Sequence, residues 1–288
     1  MFEGKIIKGV GGLYTVSRGD ELVVCNARGV FRKEKITPCI GDNVTVNDDN
    51  CIEDIKERKN ILIRPPVANI DHLAIVVSAQ LPYADTLMLD KLTVSALSLG
   101  IEPMVLINKC DIATDDGVQK IVDHLKNTDI PCFAVDCVSE EGINRIVNCL
   151  KKGVTAFAGQ SGVGKTSILN TLLGDGGYEV GQLSEKLKRG RHTTRHVELH
   201  RINEDVFVVD TPGFSKYDAE VVDAETLGRY FPEFVKHYKG CAFNSCSHTH
   251  EPDCNVKKAL ENGEISRSRY NNYIKIYEQI KQRKANYR

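Results

Sequence analysis

Residues 159–166 could bind the phosphates of a nucleotide. They read Gly-Gln-Ser-Gly-Val-Gly-Lys-Thr, the spacing of a phosphate-binding loop. Glycines let successive backbone N–H groups face phosphate oxygens at the start of a helix. Lys165 would neutralise the β- and γ-phosphates, and the Thr166 hydroxyl would bind Mg²⁺. The residues expected to line this site are Gly159, Gln160, Ser161, Gly162, Val163, Gly164, Lys165, Thr166 and Ser167.

A carboxylate at 210 is the second candidate. Asp-Thr-Pro-Gly at 210–213 follows the apolar run 206–209, which is typical of a buried strand. At the end of such a strand, Asp210 could hold the Mg²⁺ that accompanies the phosphates. The backbone N–H of Gly213 could then meet the γ-phosphate.

The tetrapeptide Asn-Lys-Cys-Asp at 108–111 indicates which base would be bound. Asp111 would accept hydrogen bonds from N1–H and N2–H₂ of guanine, with Asn108 and Lys109 beside it. Adenine offers neither donor, so it would leave the carboxylate unpaired. Together the three motifs predict GTP as the ligand.

The order of these motifs is unusual. In ordinary GTPases the phosphate loop comes first and the Asn-Lys-x-Asp motif fourth, whereas here residue 108 precedes residue 159. Joining the usual chain ends and reopening the chain elsewhere preserves the sheet and the site. The sequence therefore predicts a circularly permuted GTPase.

Three modules would carry these residues. Residues 1–64 contain about five short β-prone runs and predict a small barrel, an OB-fold or an SH3-like barrel. Arg64-Pro65-Pro66 is expected to be a linker. In residues 65–220, apolar strands alternate with helices, so a doubly wound α/β domain is expected. One of these helices should begin after Asp85 as its N-cap and end at Gly100. Residues 221–288 should be helical.

Three of the ten cysteines gather near the C-terminus. Cys241, Cys246 and Cys254, together with His248, offer the thiolate and imidazole ligands of a closed, structural Zn²⁺ site. His250 is a competing ligand, because it lies two residues from His248. The other seven cysteines are scattered and predict buried thiols in a reducing compartment.

Charge is distributed unevenly along the chain. Residues 65–225 hold 15 Lys/Arg against 23 Asp/Glu, a net −8, whereas residues 226–288 hold 12 against 6, a net +6. The basic end could face a polyanion, although a solvated charged helix would look the same. With no secretion signal and no apolar run long enough to span a membrane, we expect a cytoplasmic protein.

With these motifs, the whole chain resembles the ribosome small-subunit-dependent GTPase A family. The most specific parts are Gly-Arg-His-Thr-Thr at 190–194, the phosphate loop, Asp-Thr-Pro-Gly-Phe at 210–214 and the Cys/His cluster. The resemblance implies an OB-fold barrel, a permuted GTPase domain and a C-terminal domain with one Zn²⁺ held through His248 rather than His250. It also implies GTP hydrolysis stimulated by the small ribosomal subunit, contact with its rRNA, and a role in late assembly of that subunit.

The same resemblance makes 181–200 the first switch segment. Thr194 would then complete the Mg²⁺ shell, with Thr193 as the second choice. Phe214 stands where Ras-like proteins carry a water-orienting glutamine, so intrinsic hydrolysis should be slow. His192, or a group supplied by the ribosome, would then activate the water.

Two further expectations concern recognition and assembly. Asp136-Cys137 aligns with the guanine-contacting Ser-Ala of ordinary GTPases, so the Cys137 N–H could serve guanine O6. The chain should act as a monomer.

The rival functions are a P-loop kinase or nucleotidase acting on a small molecule, and an RNA-binding scaffold whose nucleotide barely turns over.

Overall fold

The computed structural model describes residues 1–29, 31, 36–63, 65–113, 115–174, 197–210 and 222–286. The chain divides into two compact units that are both discontinuous in sequence. The first comprises Met1–Leu73, Ile146–Phe157 and Lys165–Gly213. The second comprises Ala74–Arg145, Ala158–Gly164 and Phe214–Arg288.

The N-terminal strands close into a five-stranded barrel, which confirms the predicted OB-like fold. The order around the barrel is β1-β2-β3-β5-β4. Alternating apolar residues such as Ile6, Val16 and Ile52 point inward and are fully buried, as the two-residue period of a strand requires. The strands are β1 (Phe2–Val10), β2 (Leu13–Arg18), β3 (Glu21–Ala27), β4 (Asn43–Val46) and β5 (Cys51–Ile55).

The expected linker at 64–66 is only partly a linker. Pro66 begins strand β7 (Pro66–Ala68), which pairs antiparallel with β6 (Ile61–Ile63). A proline is tolerated at the first position of a short strand because it removes no essential ladder donor there. The chain thus leaves the barrel through a two-stranded hairpin.

A six-stranded sheet carries the predicted motifs. Its order is β10-β9-β8-β11-β13-β12, with β12 antiparallel to β13. Every residue of β8 is buried, as expected for a sheet covered on both faces. The strands are β8 (His72–Ser78), β9 (Glu102–Asn108), β10 (Cys132–Ala134), β11 (Gly153–Ala158), β12 (Leu199–Arg201) and β13 (Val206–Asp210).

Four helices alternate with these strands, so the α/β prediction is confirmed. The first helix begins as predicted, because the Asp85 carboxylate accepts hydrogen bonds from the N–H groups of Leu87 and Met88. Gly100, with a φ of 69°, follows its end. The helices are α1 (Thr86–Ser98), α2 (Asp115–His124), α3 (Glu140–Cys149) and α4 (Lys165–Leu173).

The C-terminal segment is helical, as expected. Two 3₁₀ turns, Leu227–Tyr230 and Tyr238–Gly240, flank the short helix α5 (Pro232–Val235), and α6 (Asn255–Glu261) and α7 (Arg267–Asn286) follow. Their apolar faces bury a core of aromatic and aliphatic side chains. Its members include Phe231, Phe234, Tyr273, Ile276 and Ile280.

Helix α7 is tied to α1 by a buried polar network. The Arg269 guanidinium, fully buried, donates to Asp90 on α1 and to Glu233 on α5. Asp90 also accepts from Asn272 at 2.8 Å and lies 2.9 Å from His124 Nε2. One cation thus compensates two carboxylates that would be costly to bury alone.

Within the described part of the chain, no helix is long and apolar enough to cross a membrane.

Candidate nucleotide and metal sites

Asn108 joins the base-recognition motif to the phosphate loop. It is the last residue of β9 and is almost completely buried. Its Nδ2 donates to the Val163 carbonyl at 2.9 Å. A Cβ on Gly164 would lie 2.2 Å from the same Nδ2, and Gly164 has a φ of 96°, so only glycine fits there. Two motifs far apart in sequence are therefore in direct contact.

Lys109 adopts a left-handed conformation, with a φ of 65°. Such a conformation is uncommon for a lysine and is found mostly where surrounding contacts enforce it. The ammonium group donates to the Leu81 carbonyl at 2.8 Å, and the Asn108 carbonyl accepts from Ala79 N–H at 3.0 Å. Asp111, the proposed guanine acceptor, is exposed.

The phosphate loop has the conformation that its glycines predict. Gly159, Gly162 and Gly164 have φ values of 139°, 83° and 96°, which side chains rarely allow. A Cβ on Gly159 would also lie 2.2 Å from the Val76 carbonyl. A backbone of this kind can turn N–H groups toward an anion.

Lys165 and Asp210 belong to the first compact unit, whereas the loop residues Ala158–Gly164 belong to the second. Asp210 ends β13 and pairs in register with Phe157 on β11, the strand that precedes the phosphate loop. Burial lowers the pKa of Lys165, and the negative charge of Asp210 opposes that shift. Thr166 and Ser167 lie in the first turn of α4. The predicted phosphate cation and Mg²⁺ carboxylate thus interact electrostatically.

Several predicted residues lie outside the described residues. They are His192, Thr193, Thr194, Gly213 and Phe214, together with most of the expected switch segment 181–200. Their roles remain predictions.

Asp136 fastens its own loop. Its carboxylate accepts from the N–H groups of Val138 and Ser139 and from the Ser139 hydroxyl, at 2.8 Å for the last. Burial alone would raise the pKa of Asp136, but these hydrogen bonds lower it. Next to it, Cys137 Sγ lies 3.9 Å from Asn108 Oδ1. The contact of Cys137 N–H with guanine remains a prediction.

The four predicted metal ligands come together. The ligand atoms of Cys241, Cys246, His248 and Cys254 all lie within 4.8 Å of one another. Cys241 Sγ is 4.0 Å from Cys254 Sγ and 3.8 Å from His248 Nδ1. A tetrahedral ion with metal–sulfur bonds of about 2.3 Å separates its ligands by roughly 3.8 Å, so this donor set fits zinc. His248, not His250, belongs to the cluster.

Residues around the cluster hold its loop in place. Glu251 accepts from the N–H and hydroxyl of Ser247 and from Thr249 N–H. The Tyr270 and Tyr273 hydroxyls on α7 donate to the carbonyls of His248 and Ser247. The Tyr238 ring stacks on the His248 imidazole, with centroids 5.0 Å apart.

Sequence reasoning missed several of these partners. Glu251 follows His248 by three residues, and carboxylates commonly support metal-binding loops, so this signal was available. The partner of Lys109 is the backbone carbonyl of Leu81, and every residue type has such a carbonyl, so the sequence does not predict this contact. The Asp90–Arg269 pair links residues 179 apart, which spacing within one sequence does not reveal.

The chain matches a known protein family over most of its length. The RsgA GTPase family matches residues 55–220, and the RsgA N-terminal domain matches residues 3–53. "Small ribosomal subunit biogenesis GTPase RsgA" of Geobacillus sp. (strain WCH70) is 40% identical over 100% of both chains. The protein of the same name from Bacillus subtilis (strain 168) is 39% identical, again over 100% of both.

Two solved structures share the fold. YjeQ from Thermotoga maritima is 32% identical with a TM-score of 0.82, covering 96% of this chain and 98% of its own. YloQ, described as a circularly permuted GTPase, is 35% identical with a TM-score of 0.82, covering 98% and 95%. Full-length identity, fold and permuted motif order agree, so this chain belongs to the RsgA GTPase family of circularly permuted GTP hydrolases.

Proposed function

We propose that this GTPase binds the small ribosomal subunit in late assembly and that the subunit stimulates its hydrolysis of GTP to GDP and phosphate. The relatives' names refer to biogenesis of that subunit. The single observation that carries the nucleotide assignment is the contact of Asn108 with Val163, which joins a guanine-recognition motif to a phosphate loop.

Each half of the proposed site has a distinct task. Asn108, Lys109 and Asp111 select guanine, and the glycine-rich backbone of 159–164 holds the phosphates. Lys165 neutralises charge on the β- and γ-phosphates, and the Gly213 N–H meets the γ-phosphate.

Thr166, Thr194 and Asp210 are the residues that would hold Mg²⁺. When bound, the ion would neutralise charge that develops on the phosphate oxygens. A hydroxyl in the first turn of α4 and a carboxylate at the end of β13 suit this hard, oxygen-preferring cation.

Hydrolysis without a partner should be slow. Phe214 follows Gly213 in the sequence, and an apolar side chain cannot orient a water molecule. The attacking water would then depend on His192 or on a group that the subunit supplies. This dependence would restrict turnover to the correct assembly intermediate.

We further propose that the cluster binds one structural Zn²⁺. Four protein ligands leave no open position for a substrate, so the metal would stabilise the loop 241–254. The three-domain division at 64 and 220 remains part of this proposal, as does a monomeric state.

The basic C-terminal domain would contact rRNA. Helix α7 exposes Arg267, Lys275 and Lys281, and residues 226–288 carry a net +6. Lysine and arginine displace counterions from RNA, so binding should weaken steeply as salt increases. The GTPase domain is acidic outside the basic segment 181–200, so the rest of that domain is a poor surface for RNA by the same reasoning.

Co-sedimentation with purified small subunits tests the proposal. We expect tight binding with a non-hydrolysable GTP analogue, weaker binding with GDP, and a steep loss across a salt series. Large subunits serve as the control. Equal binding in both nucleotide states, or binding to large subunits alone, would contradict the proposed partner.

A further inference from the structure

The loop between β8 and α1, residues 79–85, contacts both nucleotide motifs. Its start is fixed to the base-recognition motif, because Ala79 N–H donates to the Asn108 carbonyl at 3.0 Å. A Cβ on Gly117, in α2, would lie 2.1 Å from the Ala79 carbonyl, so the two backbones are in close contact. No sequence motif marks this loop.

The middle of the loop anchors Lys109. The Leu81 carbonyl accepts from Lys109 Nζ at 2.8 Å, although the Leu81 side chain itself is 70% exposed. With a left-handed backbone at one end and this hydrogen bond at the other, the lysine is held at both ends. Its alkyl stem then offers a fixed apolar surface beside Asn108.

The same loop also lies against the phosphate loop. A Cβ on Gly162 would be 3.6 Å from Cδ and Cγ of Pro82, which places the proline ring in van der Waals range of that position. Further along, Ala84 and Met88 share a small cavity with Gly159 and Val163. One short segment therefore touches both motifs.

We propose that residues 79–85 are a positioning segment of the guanine site, in which the Leu81 carbonyl fixes Lys109 and Pro82 supports the phosphate loop at Gly162. The inference rests on the proposed nucleotide site. The segment touches residues that bind the nucleotide and acts through them. It should therefore set how tightly guanine nucleotides are held, more than how fast bound GTP is hydrolysed.

The test is a double-mutant cycle on nucleotide affinity. Pro82→Gly frees the backbone at the anchor, and Lys109→Met removes the ammonium group while keeping an alkyl stem. We expect each single variant to raise the Kd for GDP about fivefold to tenfold, chiefly through faster release. The Kd of the double variant should rise by less than the product of the two single effects, because both changes weaken the Leu81–Lys109 contact.

Pro131→Gly is the matched control. Pro131 is an exposed loop proline in the same unit, next to β10. It should leave the Kd unchanged and combine additively with Lys109→Met. Pro82→Ala is a milder second variant that limits loss of folding, and it should fall between wild type and Pro82→Gly.

Kinetics separate positioning from general loss of structure. Pro82→Gly should raise KM for GTP with less than about a twofold change in kcat, and its melting temperature should match that of Pro131→Gly. Additive effects of Pro82→Gly and Lys109→Met, or an unchanged Kd in Pro82→Gly, would overturn the inference. A wild-type chain that binds no guanine nucleotide would instead overturn the proposed function.

Discussion

The proposed metal loop, residues 241–254, and the proposed guanine corner, which includes the loop at Asp136, are each fastened by one carboxylate that accepts hydrogen bonds from its own loop. Glu251 does this for Ser247 and Thr249, and Asp136 for Val138 and Ser139. The two regions differ in what else they need. All four metal ligands lie between residues 241 and 254, whereas the guanine corner is assembled from separate segments between residues 79 and 164.

This difference separates two ways of building a site. The metal loop would gain its stability from the bound ion, so losing one ligand should be severe but local. The guanine corner depends on hydrogen bonds from side chains to loop carbonyls, from Asn108 to Val163 and from Lys109 to Leu81. Losing one side chain there should change ligand choice and leave the fold intact.

The largest effect should follow from loss of a metal ligand. Cys254→Ser removes a thiolate from the cluster, so we expect loss of about one zinc per chain and a fall of several kcal/mol in the unfolding free energy. Metal content and chemical denaturation measure this. Cys51→Ser, outside the cluster, is the control and should keep its metal. A Cys254→Ser variant with full zinc content and stability would contradict the assignment.

The next largest effect should arise where the two regions are joined. Arg269 pairs with Asp90 on α1, the helix that follows the loop 79–85. The same helix α7 carries Tyr270 and Tyr273, whose hydroxyls hold the metal loop. Arg269→Met leaves two buried carboxylates without their cation, so the unfolding free energy should fall by about 3–5 kcal/mol.

Lys275→Met is the control for this change, since Lys275 is exposed on the same helix. Its unfolding free energy should stay within about 0.5 kcal/mol of wild type. Equal stability of the two variants would show that the network is dispensable.

Change of ligand choice without loss of fold is expected at Asp111. Asp111→Asn replaces an acceptor with an amide that suits xanthine better than guanine, so GTP affinity should fall about 100-fold or more while xanthosine triphosphate affinity rises. Competition binding with both nucleotides measures this. Asp116→Asn, also exposed, should keep the wild-type preference. An unchanged preference in Asp111→Asn would remove the guanine assignment.

The smallest effects on the unfolding free energy should come from replacing the two loop carboxylates, Glu251 and Asp136, and these effects should depend on pH. Burial alone would raise the pKa of Glu251, but hydrogen bonds from Ser247 and Thr249 lower it from 4.5 to about 2. A carboxyl whose pKa is lower in the folded state stabilises the fold above its unfolded pKa. Its contribution is lost as pH falls from about 4.5 toward 2.

Glu251→Gln should therefore cost about 1–2 kcal/mol at neutral pH and progressively less below pH 4.5. Asp136→Asn should behave likewise below its ordinary pKa of 3.8, since the pKa of Asp136 is also lowered. Denaturation across a pH series, compared with wild type, gives both differences. A difference that stays constant with pH would refute the hydrogen-bonded carboxylates as its source.

The sequence predicted all four ligands of the metal cluster, but it predicted only some of the contacts in the guanine corner. The metal cluster and the three nucleotide motifs were found because each is a short run of characteristic residues. The hairpin at Pro66 was not expected, because a proline pair ordinarily ends a strand. The Leu81 anchor and the Arg269 network were missed because a carbonyl has no side-chain signature and distant charges have no fixed spacing.

Multiple-turnover GTP hydrolysis, measured for the chain alone, with small subunits and with large subunits, tests the central claim most directly. We predict slow hydrolysis alone, strong stimulation by small subunits only, and no stimulated turnover in Lys165→Ala, which lacks the phosphate cation. Thr194→Ala should retain GDP binding yet lose the stimulated rate. Equal rates with and without small subunits, stimulation by large subunits alone, or wild-type turnover in Lys165→Ala would contradict the account.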